Sequence, residues 1–304
     1  MAENGKGRLE GSRVQLVLGS GGARGVAHVG VIDVLEEEGC EITSVAGCSM
    51  GAVVGGIYAA GFHAPYREWL LGMTRARVYG LFDLTLDRQG FVKGERIFQV
   101  LKRFIDVPPI EAFRIPFTAV AADMEQRREV WFDRGDLYQA LRASIAIPGI
   151  FTPVRHGHQV LVDGGVLNPL PINAVQRQGD SLLVAVNVNG RPSGARGGQA
   201  AEAREARLFR NLSQWLKAGV GLELSQRKSL PNPRPVTDLL LHSYYMTQER
   251  LVDLMLRMYP PDITVEIPRD ISGIFDFHRS ADLAEAGREA CRKAITAYLD
   301  RTTA

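Results

Sequence analysis

The sequence of 304 residues predicts an α/β protein with a central, mainly parallel sheet and a helical C-terminal extension. Three observations predict it. Strand-length apolar runs at Val14–Leu18 and Ile42–Ala46 flank a segment of helical period, and each run ends in a turn rich in small residues. A third run, Ser181–Val188 (SLLVAVNV), is apolar at consecutive positions, as strands covered on both faces are. Strand, helix and strand in that order require a right-handed parallel crossover, which brings the loops at the carboxyl ends of both strands to one crevice.

The helix of that crossover is written into Val26–Glu38. Val26, Val29, Ile32 and Leu35 recur on one side, Glu36-Glu37-Glu38 lies outside, and Gly39 follows as a helix stop. After the second strand, Ser49 stands on a tight turn that opens a helix of small residues. Pro65 to about Asp106 alternates helical patches with glycine breaks and reads as a covering segment. Ile115–Met124 and Arg128–Phe132 read as strands joined by a charged hairpin turn, Asp136–Ile145 as a helix stopped by the Pro148-Gly149 loop, and Gln159–Val162 as a short strand. Gly190–Gly198 (GRPSGARGG) has the composition of a mobile loop. Ala200–Leu224, Val236–Met258 and Arg279–Leu299 read as helices, with a strand at Ile263–Ile267.

Composition narrows the function classes. The net charge is +2 with acids and bases interspersed, so no basic footprint for nucleic acid is present. Cys40, Cys48 and Cys291 are odd in number and lack C-x-x-C spacing, which fits reduced thiols and a cytoplasmic location. The polar N-terminus has no apolar stretch behind its charges, so no secretory signal is expected. Ile42–Tyr66 contains no Asp, Glu, Lys or Arg and is long enough for a span of about 20 residues. Its glycine breaks and strand-like start favour a buried strand and helix instead.

Two loops carry chemistry. Gly47-Cys48-Ser49-Met50-Gly51 has the G-x-S-x-G spacing of a nucleophile elbow, whose glycines leave room for a sharp strand-to-helix turn. Gly19–Gly25 (GSGGARG) follows a strand and opens a helix, where free N–H groups and the helix dipole favour an anion. A dinucleotide fingerprint fails there because Arg24 stands where glycine is needed, and Val45-Ala46 occupies the place of the acidic residue. Arg24 adds a fixed positive charge beside the amides. Asp163-Gly164-Gly165 ends a strand and reads either as a hairpin turn or as a carboxylate placed for proton transfer. A Ser–Asp–His order could be completed by His242 or His278, but both sit in apolar surroundings that suit packing histidines, as does His28, and His156 and His158 lie in a turn.

Four segments in this order, GSGGARG, GCSMG, ASIAIPGIFTP (Ala143–Pro153) and DGGVLNPLP (Asp163–Pro171), resemble the signatures of patatin-like phospholipases. The resemblance is to the bacterial branch similar to the neuropathy-target-esterase catalytic domain, and it covers roughly residues 14–190. It implies a patatin-like three-layer fold and a Ser–Asp dyad without a catalytic histidine. Ser49 would be the nucleophile, Asp163 its base, and the amides around Ser20, Gly21 and Gly22 the oxyanion hole, with Arg24, Gly25, Gly47, Gly51, Gly164 and Gly165 in support. Acyl esters of lipids or lysolipids would be the substrates, in a lysophospholipase, phospholipase A or carboxylesterase reaction with no cofactor and no metal. Ser20 departs from the family, which usually has glycine there, and a positive φ would cost a serine more. A regulatory or scaffolding protein on the same fold is the alternative; its signature would be loss of Ser49 or Asp163, and both are present.

The expected organisation is a disordered tail over 1–13, a catalytic domain over 14–190, a mobile loop over 191–199 and a helical extension over 200–304 packed on the same domain. Phe91, Phe98, Phe113, Phe151 and the stripe Leu208-Phe209-Leu212-Trp215-Leu216 are candidates for an acyl site. With Arg204, Arg207, Arg210 and Lys217, the stripe has the composition of a helix at an anionic membrane surface, or of one packed on its own domain or on a subunit of an oligomer.

Overall fold

In a computed structural model, the described residues are 8–83, 85, 90–193 and 236–303. The expected helix 200–224, with its apolar and basic stripe, lies outside them, as does most of the expected mobile loop.

The chain opens with strand β1 (Arg13–Leu18), a 3-10 turn (Gly22–Val26), helix α1 (Ala27–Glu37), strand β2 (Glu41–Cys48) and helix α2 (Met50–Ala59). Helices α3 (His63–Leu71), α4 (Arg75–Leu81) and α5 (Glu95–Leu101) form the covering segment. Strands β3 (Phe117–Asp123) and β4 (Arg128–Phe132) make a hairpin, and helix α6 (Leu137–Ser144) leads to β5 (Val154–His156) and β6 (Gln159–Asp163). Strand β7 (Leu182–Gly190), helix α7 (Val236–Met258), strand β8 (Ile263–Pro268) and helix α8 (Ser280–Thr303) complete the described chain.

These strands form one sheet in the order β5-β6-β3-β2-β1-β7-β8, with β4 on β3. The pairs among β3, β2, β1, β7 and β8 are parallel; β4, β5 and β6 join antiparallel. The two faces follow from the strand period of two. Val14, Leu16 and Leu18 of β1, with Val184, Val186 and Val188 of β7, face the large core shared with α1, α2 and α8. Val17, Leu183 and Ala185 point the other way, against Leu170, Ile172 and Val252 of α7. The result is a three-layer α/β/α sandwich.

In the C-terminal part the expected strand is β8, which joins the sheet beside β7, and α8 lies along α1. Order also begins earlier than the expected disordered tail allows. Leu9 is buried in the main core and the Arg8 guanidinium pairs with Glu38 at 2.7 Å, so residues 8–12 pack on the end of α1. At the start of the expected mobile loop, Gly190 still belongs to β7, and Ser193 bonds the Asp270 carboxylate through its N–H and hydroxyl. The uncharged run 42–66 is β2, α2 and the start of α3, and among the described residues no helix is long and apolar enough to cross a membrane.

Candidate active site

The register along β3 brings two strand ends together. Cys48, the last residue of β2, pairs with Val120, while Asp163, the last residue of β6, pairs with the next residue of β3, Ala121. Strand β4 pairs with Ala119–Asp123 and occupies the opposite edge of β3, so β2 and β6 share one edge and meet head to head. Residues 49 and 163, far apart in sequence, are thereby placed against each other by the hydrogen-bond ladder of one strand.

Ser49 lies between β2 and α2 at φ 55° and ψ −123°, a backbone conformation that costs a non-glycine residue of order 1–3 kcal/mol. Its neighbours make the turn feasible: a Cβ on Gly47 would sit 2.5 Å from the Gly51 carbonyl, and one on Gly51 would overlap the Leu18 carbonyl of β1. The strained turn is held from below. Ser49 N–H donates to Ser144 Oγ at 2.9 Å, and that hydroxyl donates to the Val120 carbonyl at 2.7 Å, tying the elbow to β3 through the end of α6.

Asp163 is buried. Its Oδ1 accepts the Gly165 N–H at 2.7 Å and faces the Cys48 thiol at 3.8 Å, whereas Oδ2 is buried without a well-formed hydrogen bond. Burial raises its pKa to about 6, opposed by hydrogen bonding from the Ser49 hydroxyl, the Gly165 N–H and the Cys48 thiol. The Ser49 hydroxyl is thus among the groups that stabilise the carboxylate. The raised pKa makes this carboxylate a better base than an ordinary one with a pKa near 4.

The glycine-rich loop divides its N–H groups. Ser20 N–H is donated to the Pro169 carbonyl at 2.8 Å and Ala23 N–H to the Ile274 carbonyl at 2.8 Å. Ser20 is thus corrected as an oxyanion donor, since its N–H is already used. Its backbone also avoids the positive φ anticipated there, which falls on Gly22 at 55°. Gly21 and Gly22 N–H have no acceptor among the described residues, and Gly22 lines the same cavity as Ser49.

Arg24 is a brace rather than an open cation beside the amides. Its guanidinium is buried, donates to Asn189 Oδ1 at 2.9 Å and to the Arg269 and Ser272 carbonyls at 3.4 Å, and lies over the Tyr245 ring. His28 donates from Nε2 to the Gly19 carbonyl at 2.8 Å, and burial lowers its pKa to about 4, so it props the loop as a neutral ring. His278 accepts from Arg75 Nε at 3.1 Å, and His156 and His158 are exposed on the β5–β6 hairpin. The His242 side chain lies outside the described residues.

Beside Ser49 opens a narrow cavity of about 70 Å³, walled by Met50, Leu81, Val92, Ile147, Phe151 and Phe275 among others, almost entirely apolar. Of the four single aromatics expected at an acyl site, Phe151 alone is in this wall. Phe98 is buried edge-on to Tyr138, and Phe113 packs on the main core. Sequence reasoning missed Ser144, Asn189 and Gln248. Asn189 Nδ2 holds the Ser20 carbonyl at 2.6 Å, and Gln248 Nε2 reaches Ser20 Oγ at 3.1 Å. Ser144 stands in the ASIAIPGIFTP signature, which marks its segment but not its role, and nothing in the local sequence of Asn189 or Gln248 sets them apart from other polar residues in strands and helices.

A serine on a strained strand-to-helix turn, a buried carboxylate beside it and unpaired loop amides define an α/β esterase of the nucleophile-elbow class. Residues 16–175 match the family model described as patatin-like phospholipase. An uncharacterized NTE family protein of Mycobacterium tuberculosis is 32% identical over 96% of this chain and 94% of its own length. Lysophospholipase NTE1 of Candida albicans is 30% identical over 59% of this chain, which corresponds to 13% of that protein. Among solved structures, VipD from Legionella pneumophila aligns with 94% of this chain and 67% of its own at a TM-score of 0.45 and 12% identity. The chain belongs to the patatin-like phospholipase family.

Proposed function

We propose that this esterase cleaves acyl esters of lipids or lysolipids through a Ser49–Asp163 dyad and an acyl-enzyme. The observation that carries the reading is the meeting of β2 and β6 on one edge of β3, which sets a buried carboxylate beside a serine that lines an apolar cavity. The name of the Candida albicans relative, a lysophospholipase, points to the same substrate class.

In the reaction, Asp163 Oδ2 takes the Ser49 proton as Oγ attacks the ester carbonyl. The tetrahedral oxyanion is received by the Gly21 and Gly22 amides, fixed dipoles that need no reorganisation when charge develops. Asp163 returns the proton to the departing alcohol as the C–O bond breaks. A water then attacks the acyl-enzyme with Asp163 again as base, releasing the fatty acid and restoring Ser49. The apolar cavity suits the start of an acyl chain. A contact of the apolar and basic stretch 204–217, which lies outside the described residues, with an anionic membrane at the cytoplasmic face belongs to the same proposal, and co-sedimentation with anionic vesicles tests it.

The deciding experiment pairs a fluorescent organophosphonate, which traps an activated serine as a tetrahedral mimic, with a screen of p-nitrophenyl esters and lysophospholipids. Labelling of Ser49 and turnover lost in Ser49→Ala and Asp163→Asn are expected, with His278→Ala retaining most of its rate. An adduct on another residue, or full activity in Asp163→Asn, overturns the dyad.

A further inference from the structure

Helix α7 crosses the second face of the sheet, and its buried Gln248 reaches two loops at once. Nε2 donates to Ser20 Oγ at 3.1 Å and to the Gly165 carbonyl at 3.2 Å, and lies 2.8 Å from the Tyr244 hydroxyl one helical turn earlier. Two amide hydrogens serve these three oxygens, so the contacts are shared. Ser20 immediately precedes the two unpaired amides of the glycine-rich loop, and Gly165 is the residue whose N–H holds Asp163 Oδ1. The fit leaves no space for a side chain: a Cβ on Gly165 would overlap Gln248 Nε2 and stand 2.9 Å from Tyr244 Oη and 3.0 Å from Asp163 Oδ1.

We propose that Gln248 is a positioning residue that clamps the oxyanion loop to the base loop, with Ser20 as its hydroxyl anchor. The proposal rests on the dyad reading above and adds to it a part supplied by α7, outside the residues matched by the family model. It also gives the departing serine a purpose: glycine at position 20 would offer the amide no side-chain acceptor. Bonds from Ser20 N–H to Pro169, from Ala23 N–H to Ile274, and from Asn189 and His28 to the Ser20 and Gly19 carbonyls hold the loop backbone to its surroundings, and the clamp ties it to the base loop, so that the Gly21–Gly22 amides and the Asp163 carboxylate hold a constant separation around the attacked carbonyl.

The test uses the full chain with Gln248→Ala, Gln248→Glu, Ser20→Ala and the Ser20→Ala/Gln248→Ala double variant, and Thr247→Ala as an exposed control on the same helix. Turnover of a p-nitrophenyl ester is normalised to sites titrated with phosphonate. Hydrogen exchange by mass spectrometry reads residues 19–26 and 163–168. Misplaced reacting groups lower kcat more than KM, so each Gln248 variant is expected to lose on the order of tenfold in kcat with KM within about twofold. Glutamate retains the size but not the N–H donors, and so separates donation from packing. The double variant should be no worse than the poorer single one, because both act through one contact. Exchange should rise in both loops for Gln248→Ala and stay unchanged for Thr247→Ala. Undiminished kcat in the Gln248 variants, additive losses in the double variant, or unchanged exchange overturns the clamp. Should Gln248→Ala fail to fold, Ser20→Ala, which removes a single oxygen, carries the test. If the unaltered protein neither turns over esters nor reacts with phosphonate, the dyad reading falls, and the exchange comparison still decides the clamp.

Discussion

Two buried titrating residues at the site oppose each other across mildly acid pH. Asp163 has its pKa raised from 3.8 to about 6 by burial, so the folded protein binds a proton that the unfolded chain has released; this contribution is lost as pH rises through about 6. His28 has its pKa lowered from 6.5 to about 4 by burial, so stability falls as pH drops from 6.5 toward 4. Each shift corresponds to about 3 kcal/mol, and in their common window the two slopes nearly cancel. Asp163→Asn removes one of them. The variant is expected to be more stable than the parent at pH 8, by up to about 3 kcal/mol, and to lose that advantage at pH 4, as urea denaturation at the two pH values will read. In the proposed dyad Asp163 has to be ionised to accept the Ser49 proton, so kcat/KM of the unaltered protein should rise with pH through a midpoint near 6. A flat profile between pH 5 and 7 would contradict a base with this environment.

Helices meet at the site through small contacts with large effects. Ser144, at the end of α6, holds the elbow by a single hydroxyl; in Ser144→Ala the Ser49 N–H is left buried and unpaired. That should cost about 1–3 kcal/mol in stability and lower kcat, measured by denaturation and by turnover of the folded fraction. Elsewhere, α1 and α8 touch backbone to backbone, since a Cβ on Gly30 would overlap the Ala284 carbonyl and one on Gly287 the Ala27 carbonyl. Gly287→Val is expected to cost at least about 1–3 kcal/mol by forcing the helices apart, with phosphonate labelling of Ser49 retained in the folded protein. Elements of this kind were legible in sequence to different degrees. The strands β1, β2, β3, β4, β6, β7 and β8 and helices α1, α6, α7 and α8 announce themselves by period and by their stops. Which N–H groups of the glycine-rich loop stay unpaired does not, because Pro169 and Ile274, which take two of them, are brought in by tertiary packing. The bracing of Arg24 is hidden for the same reason, because Asn189 and the two carbonyls that it reaches lie far along the chain.

Across the whole molecule, the signature segments end before the structure that shelters them. The family model covers 16–175, yet β1 stands between β2 and β7, its Val17 packs with Val252 of α7, and α8 lies against α1 and β8. A chain cut at residue 175 would keep every group assigned to the reaction and lose β7, β8, α7 and α8. Strand β1 would then present a row of unpaired N–H and C=O groups along Val14-Gln15-Leu16-Val17-Leu18, with no charge or proline to discourage another chain. Such an edge is a template for intermolecular pairing and amyloid-like assembly. The fragment 1–175 is expected to accumulate as insoluble aggregates that bind thioflavin, while the intact chain does not. Co-expression with residues 176–304 should restore soluble protein, because the missing strand would close the exposed edge from outside as it does from within the chain.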